Sequence, residues 1–211
     1  MIHAGQRVKS MNRYVSVLLL GAAAHTGCSF LSPREDPSRF FLLTSPPTSS
    51  PGPSSDLAPG AIAIGPLDFP GYLTGPTLVT RIDEYEVVVS DYERWAEPLD
   101  DGFARVLVES LSGQIRSRKV VVFPALLSEE LRYRVPIRVE RFERDASGGV
   151  ELWATWSIDD VESGRTLESR QSRIAQAPVE AGTEGSVAAM SEALMTLSRE
   201  IAGALQGVGA G

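Results

Sequence analysis

The strongest constraint on how this chain folds lies between residues 133 and 176, where apolar and polar side chains alternate through successive runs. Tyr133, Val135, Ile137 and Val139 alternate with Arg134, Pro136, Arg138 and Glu140, and Leu152, Ala154, Trp156 and Ile158 repeat the same period. A period of two places every second side chain on one face of a strand. The pattern predicts three long strands over residues 133–142, 150–159 and 165–176, with Gly148 and Gly149 at the first turn. Strands with one apolar and one charged face belong to an antiparallel sheet whose second side meets water. Pro136 cannot donate to a ladder, so it is expected at a sheet edge or a bulge. Trp153 and Trp156 stand three apart and so face opposite sides, Trp156 towards the core and Trp153 outwards.

The remaining elements follow from shorter signals. Residues 39–43 (Arg-Phe-Phe-Leu-Leu) read as a short strand, which is expected to pair with the main sheet because four large apolar side chains would otherwise hang in water. Residues 44–59 hold five prolines and five serines among 16 residues, too little apolar surface to offset ordering, and are expected to form a flexible loop, mobile or extended. Residues 61–67 are strand-like and stop at Gly65-Pro66, and a loop rich in Gly and Pro, residues 69–76, follows. Residues 78–82 and 86–90 flank Asp83-Glu84 and predict a hairpin.

Between residues 100 and 118 the period changes: Phe103, Val106, Leu107, Leu111 and Ile115 recur at three- and four-residue steps, with Asp100 or Asp101 placed to cap the first turn. That is an amphipathic helix, and residues 119–123 form a strand ended by Pro124. A second helical stripe, Val187, Met190, Leu194, Leu197, Ile201 and Leu205, spans residues 186–205 and stops at Gly207. It reads as core-facing, with a partner surface as the alternative. The expected fold is α+β: a single antiparallel-rich sheet with two main amphipathic helices packed on it.

Reactive side chains are placed so that much chemistry is excluded. Both histidines, His3 and His25, and the only cysteine, Cys28, fall in the first 28 of 211 residues. The body therefore lacks the parts of a Ser-His-Asp or Cys-His nucleophile and of a His/Cys metal site, and no disulfide can form within the chain. The first 27 residues carry Arg7, Lys9 and Arg13 and no acid, which leaves 17 basic against 27 acidic groups, a net of −10. An acidic body does not bind nucleic acid by general electrostatics. Asp100-Asp101, Glu129-Glu130 and Asp159-Asp160 are adjacent acidic pairs, each read as a solvated cap or turn, and no calcium or phosphate loop spacing is present. Neither an enzyme active site nor a cofactor or metal site is expected.

The amino terminus reads as an export signal: Arg13, then an apolar run from Val15 to Ala24, then small residues up to Cys28. The apolar run is too short to span a bilayer, which takes about 20 residues. Met1 and Met11 are both readable as the start. The approach to Cys28 resembles a bacterial lipobox, with His25 where leucine is usual; an ordinary signal peptide with an incidental cysteine is the alternative. The lipobox reading makes Cys28 the acylated first residue of a 184-residue mature chain, with no cofactor beyond that covalent lipid. Multiple acyl chains anchor stably, each buried methylene contributing about 0.8 kcal/mol. Ser29 after the cysteine points to release to the outer membrane. The expected organisation is residues 1–27 signal peptide, 28–38 lipidated tether, 39–207 folded domain and 208–211 tail.

Residues 94–99 (Arg-Trp-Ala-Glu-Pro-Leu) set Trp95 between Arg94 and Glu97 just before the first helix. Trp95 or Leu99 can pack on that helix and fix its entry angle, or Trp95 can anchor a partner, since aromatic and arginine side chains dominate binding hot spots. Tyr72 and Leu73, raised on Gly and Pro turns, pose the same choice. This block, together with the Phe40-Phe-Leu-Leu strand, Ile64-Gly-Pro, Pro70-Gly-Tyr-Leu, Val79-Thr-Arg, the helix with Arg105 and Leu107, and Leu152-Trp-Ala-Thr-Trp, resembles the ABC-type transport auxiliary lipoproteins, the PqiC-like family.

The resemblance spans nearly all of the chain after Cys28. It implies a non-enzymatic, periplasm-facing outer-membrane lipoprotein that docks the end of a lipid conduit built by an MCE-domain protein. Candidate interface residues are Tyr72, Leu73, Arg81, Arg94, Trp95 and Glu97, and a homo-oligomer would suit a ring-shaped partner. Two other readings stand beside it: a lipid or small-molecule binding lipoprotein with an apolar pocket between sheet and helices, and an assembly lipoprotein for another outer-membrane machine.

Overall fold

The computed structural model describes residues 36–45, 60–115, 119–124 and 130–209. The signal, Cys28, most of the tether and of the Pro/Ser-rich segment, Glu129, and the last two residues lie outside them. The described elements are β1 (Arg39–Phe41), β2 (Ala61–Asp68), a 3₁₀ turn (Gly71–Leu73), β3 (Thr77–Arg81), β4 (Val87–Trp95), α1 (Leu99–Gln114), β5 (Val120–Val122), β6 (Leu131–Asp145), β7 (Val150–Asp160), β8 (Arg165–Gln176) and α2 (Thr183–Gly209). The fold is α+β.

Fifteen-residue β6 is the spine of the sheet. Antiparallel β7 runs along one side of it, from Tyr133 opposite Asp160 to Arg144 opposite Val150, and antiparallel β8 lies beyond. Two strands share the other side end to end: β2 lies beside Leu131–Arg138, and β3 meets Arg144 and Asp145. The sheet forks there, β2 carrying β5 and β3 carrying β4 and then β1. The 78–90 hairpin and the pairing of the 39–43 strand are as expected. The sheet is mixed: β3/β4, β6/β7 and the long β7/β8 ladder are antiparallel, as expected, and β1/β4, β2/β5, β2/β6 and β3/β6 are parallel. Passage through α1 carries the chain back across the sheet, the kind of connection parallel neighbours require.

The position of Pro136 follows from register. Ile64 pairs with Val135 and Leu67 with Ile137, so Gly65-Pro66 on β2 bulges opposite Pro136. The proline lies inside the spine, not at an edge, at a place where the ladder is already broken. Gly65 takes φ +114° at this bulge, a conformation that favours glycine.

Both helices cover one face. Phe103, Val106, Leu107 and Leu111 of α1 are buried, as are Met190, Leu194, Leu197, Ile201 and Leu205 of α2. They meet Val135, Ile137, Val139, Phe142, Leu152, Ala154, Trp156 and Ile158 from the sheet. Phe103 packs edge-on between Phe69 and Phe142, with centroids 5.3 and 5.4 Å away. Burying each such side chain stabilises by roughly 1.5–3 kcal/mol. The α2 stripe is therefore core, and the helix begins at Thr183 and continues past Gly207 to Gly209.

Two acidic expectations change. Pro98, not an aspartate, precedes α1, and Asp100 and Asp101 lie exposed in its first turn, where they complement the positive helix end. Asp160 is no solvated turn residue: it is 5% exposed, pairs with Arg132 at 2.7 Å and accepts the Ser163 N–H at 2.9 Å.

Candidate functional site

The residues singled out in the sequence separate into three groups. The first forms at the rim of the uncovered sheet face. The 3₁₀ turn buries Leu73 and leaves Tyr72 at the surface, where its hydroxyl donates to Glu143 Oε2 at 2.9 Å. Arg81, the last residue of β3, donates from Nε to Glu143 Oε1 at 2.6 Å, and the Phe142 N–H reaches Oε2 at 3.0 Å. Glu143 is 3% exposed, a carboxylate held by a cation, a phenol and an amide. Burial, then the hydrogen bond and charge of Glu143, push the Tyr72 hydroxyl up to about 12. Burial works against the Arg81 cation, but Glu143 and Tyr72 outweigh it and hold the guanidinium more firmly protonated.

A second group ties β1 to α1. Arg105 donates to the Leu43 carbonyl at 2.8 Å and to Glu97 Oε1 at 2.5 Å. Trp95 ends β4 with its ring 7% exposed, bordered by Leu73, Leu78, Leu99, Phe142 and Met190. Trp95 and Leu73 are both buried and pack with the core, the first of the two roles open to each. Glu97 is engaged with Arg105, and Arg94 lies in register between Phe40 and Thr77.

The third group was only partly foreseen. A second bulge shifts register between Val139/Ala154 and Arg141/Trp153, turning Phe142 inward and setting Arg141 beside Trp153 on the open face. Arg141 and Arg173, from the strands on either side, place their guanidinium carbons 4.3 and 4.5 Å from the Trp153 ring centroid. Arg141 is also paired with Glu151 at 2.8 Å. Two hollows with charged residues in their lining are also present. One of about 340 Å³ is lined by Asp68, Pro136, Arg138, Glu140, Thr155 and Ser157. The other, of about 330 Å³, lies among Arg81, Arg141, Glu143 and Glu151. The space beneath Trp95 on the covered side is about 10 Å³, room for about one water and no lipid chain.

Glu143 was the residue missed, and its signal was the three-residue spacing from Val139 to Phe142, which breaks the alternation and marks the bulge. Among the described residues no group of three or more His, Cys, Asp or Glu is placed to hold a metal ion. No helix among them is long and apolar enough to cross a membrane.

The geometry is that of an α+β scaffold domain, sealed by helices on one face and presenting arginine, tryptophan and paired charges on the other. The chain belongs to the family of ABC-type transport auxiliary lipoprotein components, whose model matches residues 41–202. It is thus an auxiliary component of ABC-type transport, from a family not defined by catalysis. No curated protein matches it in sequence. Among solved structures it is similar to a DUF330-family protein from Xanthomonas campestris, with 20% identity, TM-score 0.66, and 80% of this chain and 96% of that one covered. An uncharacterised protein matches with 20% identity, TM-score 0.64 and coverage of 80% and 98%. A putative lipoprotein from Caulobacter crescentus is 16% identical at TM-score 0.41, covering 52% of this chain and 84% of its own.

Proposed function

We propose that this chain is a non-enzymatic lipoprotein, anchored through Cys28 to the outer membrane, that docks the periplasmic end of an MCE-domain lipid conduit. The observation that carries this reading is the uncovered face of β6, β7 and β8, where Trp153 lies between Arg141 and Arg173 with Tyr72 and Arg81 at the rim. Tryptophan and arginine are the side chains that contribute most to protein interfaces, and a polar rim around them suits a docking surface. The filled space between sheet and helices favours docking over carriage of lipid inside the domain. A homo-oligomer facing a ring-shaped partner is the expected assembly, read by native mass spectrometry.

The test is co-purification of an MCE-domain protein from membranes. Trp153→Ala and Arg173→Glu are expected to abolish capture while leaving the thermal melt unchanged. Capture at the wild-type level by both variants would remove this face as the docking surface. Intact-mass measurement reads the anchor separately: an unacylated, freely soluble periplasmic protein would refute it.

A further inference from the structure

A second surface, on the opposite branch of the sheet, has a different chemistry. Phe40 on β1 and Leu42 just after it, Val89 and Tyr92 on β4, and Ile82 and Tyr85 at the β3–β4 turn are all exposed, Tyr85 by 91%. Register places them on one branch of the sheet, with the irregularity of the β3/β4 ladder falling between Val89 and Arg94. Ile82 bonds Glu86 across the turn, Arg81 pairs with Val87, and β4 then runs down to Arg94, opposite Phe40. Single exposed apolar residues are ordinary, but six on one branch of a sheet mark an interaction site.

We propose that this strip rests on a lipid surface, seating the domain against the membrane that holds its anchor. The inference depends on the Cys28 anchor proposed above. From Cys28 to Phe40 the chain has twelve residues, at most about 40 Å at full extension, and it enters the domain through the strip itself. No other exposed part of the sheet is so closely tied by sequence to the anchor. Tyrosines with apolar bodies and polar tips, set among Phe, Leu, Ile and Val, suit the boundary between headgroups and acyl chains. Asp83, Glu84, Glu86 and Asp91 outnumber Arg39 and Arg94 along the strip, so a zwitterionic surface is preferred and anionic lipid weakens the contact.

The experiment uses the acylated protein extracted from membranes and returned to phosphatidylethanolamine vesicles doped with brominated phosphatidylcholine. Tyr92→Trp and Tyr85→Trp are expected to lose emission beyond the quenching of the three native tryptophans. Val161→Trp, in the β7–β8 turn at the far end of the sheet, is expected to show no added loss. Adding phosphatidylglycerol should reduce the quenching at Tyr92→Trp. Equal quenching at all three positions, quenching at Val161→Trp alone, or shielding of Tyr92→Trp from aqueous iodide without lipid quenching would each overturn the proposal, the last by giving the strip to a protein. Should mass analysis find Cys28 unacylated, coupling that sole thiol to a maleimide lipid repeats the test, so failure of the anchor and failure of the strip are told apart.

Discussion

Trp153 and Trp156 stand three residues apart on β7 and experience opposite environments. Trp156 is 1% exposed beneath α2 and needs a partner for its indole, which donates to Ser172 Oγ at 2.8 Å; that hydroxyl in turn bonds Glu200 of the helix. Trp153 is half-buried on the other side of the sheet, with the guanidinium groups of Arg141 and Arg173 over its ring. The covered face satisfies its polar atoms within the fold. On the open face the contacts are between charged ends that a partner can replace. Stability is therefore concentrated in one face, which leaves the other free for the docking role proposed above.

The largest test of that division is Trp156→Ala, which should cost about 3–5 kcal/mol in urea unfolding by leaving a cavity under α2. Glu143→Gln is the case that cuts across it, because Glu143 lies on the open side yet is buried. It should cost about 2 kcal/mol, the contribution of hydrogen bonds to a charged group. The same change should lower the Tyr72 titration from about 12 towards its ordinary value of 10, followed by phenolate absorbance. The fold favours the neutral phenol, so its contribution is complete below pH 10 and is lost between 10 and 12.

A smaller effect is expected in acid. Burial works against the Glu93 carboxylate, but hydrogen bonds from Thr183 and Arg144 overcome it and hold the group below its ordinary value of 4.5. A carboxylate depressed in the folded state stabilises above its unfolded value and loses that contribution as pH falls through the folded one. The melting temperature should thus decline below about pH 4.5, and Glu93→Gln should flatten the decline. Trp153→Ala should have the least effect on stability, under about 1 kcal/mol as for an exposed cation–π pair. A loss as large as that of Trp156→Ala would show that the open face holds the fold together after all.

The layers of this fold were legible because they rest on local periods. Alternation over 133–159 and the helical stripes at Phe103–Ile115 and Val187–Leu205 fix which side chains face inward whatever the strand order. Pro136 announced a broken ladder, but only register distinguished bulge from edge. The polar neighbours Arg94 and Glu97 made Trp95 look accessible, whereas the strand end turns the ring inward while Arg105 engages Glu97. The rim cluster was half legible: Tyr72 and Arg81 were marked, but their partner Glu143 lies 71 and 62 residues further on, across a parallel pairing no local pattern encodes.

The unequal lengths of the ladders have a mechanical consequence. Tension on the chain ahead of residue 39 enters through β1, whose ladder to β4 has three rungs, Arg39 to Glu93, Phe40 to Arg94 and Phe41 to Trp95. The long ladders of β6, β7 and β8 are several strands removed from that point. Pulled from its amino-terminal side, the domain would yield first at β1. The buried Leu43 and its carbonyl bond to Arg105 then form the next barrier, and the long ladders of β6, β7 and β8 are left intact behind them.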